Sequence, residues 1–333
     1  ISKDAIQIAG IKYAPPDYLR MAMYLELSRP AGDVSRWEKV SKRLSILNKY
    51  YPMKLEKNCF AVDFTKKMDI SLKNEERLHL LMRDIFIDNS SVFFGGYSTH
   101  LYANHMPESK KKLVDSIPDF DIISDDPDKC ALIVKERLQK EKFKDIKIIK
   151  HKSIGEIIPR HVEVVVGKYS MAYIYEPIAC HSYNEITVDG KNIKIATIDT
   201  ILAFYLSFLY ANMPHYNKDR LMCIAMFLFQ MEQHNHLDQR GILKRYSIDC
   251  YGKQETLEDM RSKKTEMFKE LSNDRTTKEY QMWFLRYAPN DKSKKNKEKN
   301  VDKTVKNKTR KNIKKETPQK EHPILALIKK QAM

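Results

Sequence analysis

The chain has 333 residues, of which 42% are hydrophobic and 31% are charged, with a net charge of +16. This composition excludes a chain that is disordered throughout, and the scarcity of glycine, with 9 residues, excludes fibrous proteins. No apolar run reaches the roughly 18 residues that a membrane span requires, so we expect no membrane partner. The five cysteines are scattered and odd in number, which argues against a disulfide framework and for a reducing compartment.

The N-terminal segment, residues 1–85, is predicted to be mainly helical. The chain begins with isoleucine rather than methionine, and we expect it to be a trimmed or partial product. Helical spacing of apolar residues predicts helices over residues 17–25, 35–51 and 74–85. The second opens with a capping-box pattern, Ser35 followed by Glu38, and the third has Asn74 as its expected N-cap.

A change of pattern follows, and residues 86–190 are predicted to form a mixed α/β module. Its predicted elements are a strand at 91–94, a helix at 97–105, strands at 119–123 and 146–151 with a helix at 128–141 between them, and a hairpin of 160–166 with 170–175. Residues 191–290 are predicted to be helical again, with Thr197 capping a buried helix. The expected fold class is therefore α/β (α+β), a mixed sheet with flanking helical segments.

The C-terminal segment, residues 291–333, carries much of the positive charge. It contains 15 Lys and Arg against 5 Asp and Glu, which gives +10 and leaves +6 for residues 1–290. Almost no large apolar residue precedes Ile324, so we expect a disordered tail. Such an arm attracts polyanions without sequence specificity, and we expect it to contact nucleic acid. A solubilising or targeting tail is the alternative.

Two carboxylates on one predicted strand form the first half of a candidate site. Strand alternation places Asp119 and Asp121 on the same face, with Phe120 pointing into the core. Two neighbouring carboxylates repel each other unless a cation lies between them. Mg²⁺ suits this position because it prefers hard oxygen ligands and also binds phosphates.

A glycine pair forms the second half of the candidate site. Gly95 and Gly96 lie between a predicted strand and a predicted helix, where backbone N–H groups can approach phosphate oxygens. Ser98 adds a hydroxyl donor in the first turn of the helix. The alternative interpretation is a glycine turn followed, further along the chain, by a solvated acidic turn.

The combination resembles the nucleotidyltransferase pattern of the DNA polymerase β-like superfamily. Within it, the sequence is most similar to the poly(A) polymerase catalytic subunits of large DNA viruses, of the poxvirus and giant-virus type. The resemblance extends over residues 85–287, and the giant-virus members look closer. The segments that carry it are Phe94–Tyr97, Pro118–Asp121, Ile174–Asn184, Ala196–Thr200, Asp249–Gly252 and Trp283–Leu285.

This resemblance implies template-independent addition of AMP from ATP to RNA 3′ ends by two-metal in-line transfer. By analogy, Asp119 and Asp121 hold Mg²⁺ or Mn²⁺, and Gly95, Gly96 and Ser98 contact the triphosphate. The implied partners are the RNA 3′ end and ATP, with a homodimer or a protein of the viral transcription machinery as further options. The implied locations are the host cytoplasm, at the viral factory, and the virion.

The sequence departs from the family pattern in two places. A basic loop containing Lys110–Lys112 lengthens the connection between the two halves of the site. Tyr173 occupies the place where the family has a third carboxylate, and Glu163 on the partner strand is the expected substitute, with Glu176 as the alternative. If neither substitutes, the chain would be a weakened or inactive RNA-binding or assembly subunit. A related enzyme that adds other nucleotides is a third possibility.

Some polar residues have both a functional and a structural interpretation. Tyr183 and Asn184 are candidates for adenine or ribose contacts, or they form a polar turn. Four basic residues near predicted helix ends are expected either to contact the triphosphate or RNA backbone, or to complement helix C-termini. They are Lys218, Arg220, Lys244 and Arg245.

Overall fold

The computed structural model describes residues 5–53, 59, 72–106, 119–154, 157–211, 217–236, 238–255 and 257–283. All of them belong to one unit, residues 1–289. The predicted basic loop with Lys110–Lys112 and the predicted C-terminal tail lie outside the described residues. The four-part division of the chain therefore stays a prediction.

A mixed sheet of eight strands organises this unit. Its strands are β3 (Val92–Phe94), β4 (Phe120–Ile123), β5 (Ile146–His151), β6 (His161–Val166), β7 (Tyr169–Tyr175), β8 (His181–Val188), β9 (Lys191–Ala196) and β10 (Cys250–Tyr251). Their spatial order is β10-β8-β9-β3-β4-β7-β6-β5. The β3–β9 and β4–β7 pairs are parallel, whereas the other pairs are antiparallel. A separate hairpin precedes the sheet, formed by β1 (Ile6–Ile8) and β2 (Ile11–Tyr13).

Helices cover both faces of the sheet. They are α1 (Pro16–Leu27), α2 (Trp37–Tyr50), α3 (Leu72–Asp88), α4 (Gly96–Ala103), α5 (Pro127–Lys140), α6 (Ile198–Ala211), α7 (Lys218–His234), α8 (Leu257–Leu271) and α9 (Lys278–Trp283). Their positions confirm the predicted helices to within a few residues. None of the helices in the described part of the chain is long and apolar enough to span a membrane.

Alternation along β3 separates the two layers of the core. Phe93 packs with Phe86 of α3 and Phe120 of β4 on one face. The next residue, Phe94, points to the other face, where its ring lies 4.5 Å from that of Phe204 in α6. Phe120 is fully buried, as predicted, so its neighbour Asp121 shares the face of Phe94 and α6.

The N-cap of α6 is the predicted one, whereas the starts of α2 and α3 differ from the predictions. Thr197 caps α6 as predicted, because its hydroxyl accepts the N–H of Thr200 at 3.3 Å. The expected capping box does not form: α2 is preceded by a 3₁₀ turn, and the hydroxyl of Ser35 donates to Asp33 instead. The N-cap prediction for Asn74 is also wrong, because α3 begins two residues earlier.

The cysteines correct another expectation. Cys180 is paired with Cys250, and Cys59 with Cys223, as disulfides, whereas Cys130 is free and buried. The first pair arises because β10 lies along β8, with Cys250 opposite Ser182. Spacing along the chain cannot reveal such a pairing, since the two strands lie far apart in the sequence.

Candidate active site

Asp121 and Gly95 form the centre of the candidate site. In the antiparallel β3–β4 pair, Asp121 is opposite Phe94, the last residue of β3. Gly95 has a φ of +78°, and a Cβ added there would lie 1.9 Å from Asp121 Oδ2. The carboxylate therefore rests directly on the glycine backbone at the point where α4 begins, which explains why this position requires glycine.

Asp119 lies immediately before β4 and faces a cation from a distant helix. Arg220 Nη2 lies 3.7 Å from Asp119 Oδ1. Arg220 is in the first turn of α7, and its backbone N–H donates to the capping side chain of Asn217 at 3.0 Å. The structure thus brings Arg220, one of the four basic residues considered in the sequence, to Asp119.

The first turn of α4 and helix α6 form a buried wall beside Asp121. Ser98 is fully buried, and its hydroxyl has no hydrogen-bond partner among the described residues. Thr99 donates to the carbonyl of Gly95 at 2.7 Å and shares a hydrogen bond with Tyr205 of α6. Burial and the nearby charge of Asp121 raise the pKa of Tyr205, so its phenol stays neutral. The sequence predicts a buried helix after Thr197, but it gives no sign that Tyr205 in this helix lies beside the carboxylate.

Tyr173 occupies the sheet position next to Asp121. The two residues are paired across β4 and β7, and Tyr173 is paired in turn with Glu163 on β6. Burial raises the pKa of the Tyr173 phenol, and a hydrogen bond with Ser170 partly opposes this rise. The negative charges of Glu163, Asp121 and Asp119 raise it further, so the phenol is protonated at neutral pH.

Glu163 lies one strand further from the aspartates than a third carboxylate would. Neighbouring strands are about 4.8 Å apart, so two strand spacings separate its backbone from that of Asp121. His151 Nε2 lies 2.8 Å from Glu163 Oε2, while Ser170 and Tyr173 donate to Oε1. Burial alone would raise the pKa of Glu163, but the hydrogen bonds from Ser170 and His151 outweigh it and lower the pKa.

The arrangement fits one divalent cation better than a larger metal cluster. In the described part of the chain, no group of three or more His, Cys, Asp or Glu side chains is placed to hold a metal ion. Mg²⁺, however, keeps several waters and is commonly held by one or two carboxylates together with substrate phosphates. Asp119 and Asp121, beside a glycine backbone that a phosphate can approach, match that donor set.

Arg245 is not available to a nucleotide, contrary to one interpretation of the sequence. Its guanidinium binds both oxygens of Asp199, at 2.6 and 3.0 Å, and lies 2.7 Å from Glu232 Oε1. Asn184 is likewise engaged, because its buried amide donates to the carbonyls of Ile242 and Lys244. Both residues connect the segment around residue 243 to the core.

The fold is similar to that of a known viral enzyme. The structure superposes on the crystal structure of the Megavirus polyadenylate synthase with a TM-score of 0.61 and 18% sequence identity. The match covers 80% of this chain and 56% of that protein, so the chain spans little more than half of its length. No protein-family model and no curated protein matches the sequence. The likeness confirms the predicted fold class, a mixed sheet with flanking helices.

Proposed function

We propose that this chain is a nucleotidyltransferase that adds AMP from ATP to the 3′ end of RNA. The observation that carries the proposal is the contact between the Asp121 carboxylate and Gly95 at the start of α4, with Asp119 two residues before Asp121 in the chain. Carboxylates of the kind that bind divalent cations therefore lie beside backbone donors suited to phosphate, which supports the proposal. The fold shared with a polyadenylate synthase supports RNA and ATP as the substrates.

In the proposed reaction, the RNA 3′-hydroxyl attacks the α-phosphorus of ATP and pyrophosphate leaves in line. The chain contributes positioning and charge rather than a protein nucleophile. The backbone at Gly95 and Gly96 binds triphosphate oxygens, and Asp119 and Asp121 hold the divalent ion. That ion, when bound, neutralises phosphate charge and orients the reacting oxygens. A second ion would require a further carboxylate, and Glu163 is the candidate.

The test is extension of a labelled short RNA with ATP and either Mg²⁺ or Mn²⁺. We expect the wild-type chain to give a ladder of added nucleotides, which the Asp119→Ala/Asp121→Ala variant loses. The matched control is Glu38→Ala, which removes an exposed carboxylate of a surface ion pair and should keep the ladder. Undiminished extension by the double variant would contradict the site, and equal use of all four nucleotides would favour a less selective transferase.

One observation favours a second function, that of a non-catalytic RNA-binding or assembly subunit. A protonated phenol, Tyr173, lies where a third carboxylate would stand. This proposal predicts RNA binding without extension by well-folded protein. Replacing Tyr173→Asp supplies the absent charge beside Asp121, so a variant that gains extension would identify the phenol as the cause of inactivity.

A further inference from the structure

The ion pair between Arg220 and Asp119 opposes the metal-binding role of the same carboxylate. Arg220 Nη2 lies 3.7 Å from Asp119 Oδ1, and the two side chains are 27% and 14% exposed. Both are therefore screened only in part by solvent. Because Asn217 caps α7 and binds the N–H of Arg220, the backbone that carries the guanidinium is fixed.

A divalent cation and a guanidinium compete for Asp119. With Arg220 paired, the two aspartates and the arginine together carry a charge of −1, which attracts a free metal ion less than two bare carboxylates would. A metal ion bound to Asp119 would also repel the guanidinium at this short separation. A nucleoside triphosphate removes this competition for Asp119, because its oxygens can bind the metal ion and the arginine at the same time.

The chemistry of arginine suits binding to a triphosphate. The planar guanidinium donates paired hydrogen bonds to phosphate oxygens and is always charged. Arg220 lies beside the aspartates that would hold the ion, and these adjoin the glycine backbone at the start of α4. Arg245, by contrast, pairs with two buried carboxylates, and its departure would remove the positive charge that faces both of them.

We propose that Arg220 is a positioning residue that exchanges partners. It neutralises Asp119 before the nucleotide arrives, and it binds triphosphate oxygens once Asp119 takes up the divalent ion. Metal and triphosphate therefore enter together, and free metal binds weakly on its own. The inference rests on the proposed function for the identity of the nucleotide. Its own signature is that loss of the Arg220 charge strengthens the binding of free metal and weakens the binding of ATP.

The experiment measures binding to the full chain by calorimetry, with Mn²⁺ as the metal probe. Arg220→Gln should bind Mn²⁺ several-fold more tightly than the wild type when no nucleotide is present. The same variant should bind ATP with Mn²⁺ about tenfold or more weakly, because a charge-assisted contact is lost. AMP binding should be unchanged, since AMP lacks the β- and γ-phosphates. The ATP affinity of Arg220→Lys should lie between those of the wild type and Arg220→Gln.

Arg137→Gln is the matched control, because it removes an arginine that pairs with Asp88 on the surface at 2.6 Å. It should reproduce the wild-type affinities, and thermal unfolding checks that each variant is folded. Unchanged or weaker Mn²⁺ binding by Arg220→Gln would overturn the proposal, as would equal losses for ATP and AMP. If Arg220→Gln does not fold, Arg220→Lys decides, because wild-type ATP affinity in that variant supports only a charge role and overturns paired phosphate binding.

The RNA extension assay separates this proposal from the proposed function. If the wild type extends RNA but Arg220→Gln binds metal and ATP like the wild type, the inference alone fails. If the wild type does not extend RNA while the opposite changes in binding appear, the partner exchange stands and the transferase activity fails. Absence of both ATP and Mn²⁺ binding by the wild type overturns both.

Discussion

At the scale of single residues, the site depends on the absence of one side chain. Gly95 lets the carboxylate of Asp121 lie against the backbone that starts α4, and no other residue leaves that space. The positive φ adds a second reason, because an L-residue is strained there. Steric exclusion and backbone conformation thus select the same residue at the position closest to the proposed chemistry.

These two reasons can be separated by substitution. Gly190 has a similar φ of +74°, but a Cβ added there meets nothing within 4 Å. We expect Gly190→Ala to lower the free energy of unfolding by about 1 kcal/mol through backbone strain alone. Gly95→Ala should cost on the order of 2–3 kcal/mol and should also abolish RNA extension, because Asp121 must move. Urea unfolding of both variants measures the difference, and equal costs would show that the collision is relieved cheaply.

At the scale of elements, helix starts show how far a sequence pattern can mislead. Ser35 and Glu38 match the capping-box spacing, yet the chain turns into a 3₁₀ segment and the hydroxyl bonds to Asp33 on the surface. Thr197 gives a weaker pattern but forms a buried cluster with Ser182 and Thr200 at the start of α6. Whether a cap contributes to stability depends on its burial, and the local sequence pattern does not reveal burial.

A pair of alanine variants tests this ranking. Thr197→Ala should lower the free energy of unfolding by about 1–2 kcal/mol, because it removes a buried cap and the hydrogen bonds that the Thr197 hydroxyl shares with Ser182 and Thr200. Ser35→Ala should change it by less than about 0.5 kcal/mol, since the side chain is exposed. Thermal or urea unfolding provides the comparison. A larger effect at Ser35 would mean that the capping box forms in solution.

Most of the elements could be predicted from sequence because their signals are local. The helix predicted over residues 128–141 is α5, shifted by one residue, and the Asp126 side chain caps it by accepting the N–H of Lys129. The β8–β9 hairpin is absent from the predicted elements, although the sequence contains its signal, the dipeptide Asp189-Gly190. Both residues have positive φ, as a type I′ turn requires.

The rest of the candidate site could not be read from the sequence, because its contacts are between distant segments. The pairing of Asp119 with Arg220 joins β4 to a helix that follows the whole sheet module. Glu163 is two strands away from Asp121, with Tyr173 between them, because of the strand order, which no pattern of spacing specifies. Residue type and order along the chain predict that the aspartates and glycines belong to one site. Strand order and helix packing determine which residues surround them.

At the scale of the whole molecule, a buried ion network joins four segments. Arg245 pairs with Asp199 of α6 and Glu232 of α7, and Tyr24 of α1 donates to Glu232 at 2.9 Å. Burial raises the pKa of Glu232 to about 7, although Arg245 lowers it in part. One arginine therefore faces two carboxylates, and protonation of Glu232 relieves the excess negative charge.

This network predicts a pH-dependent stability. Unfolding returns the pKa of Glu232 from about 7 to an ordinary value of about 4.3, so the folded protein holds an extra proton between these limits. The free energy of unfolding should therefore fall as pH rises from about 4.5 to 7, by on the order of 3 kcal/mol. Glu232→Gln should remove this component, whereas Glu185→Gln, an exposed control, should keep it. Urea unfolding across this pH range measures the slope, and an unchanged slope in Glu232→Gln would contradict the assignment.

The strand order has a consequence for how the chain folds during synthesis. The central strand β3 is completed on one side by β4 but on the other by β9, which emerges from the ribosome much later. Until then, one hydrogen-bonding edge of β3 lacks its native neighbour, and α1 also lacks α6, against which it packs. Long-range pairing of this kind slows folding and exposes aggregation-prone surface. We therefore expect nascent chains that end before residue 196 to depend on chaperones, and chains that extend through α7 to be released from them.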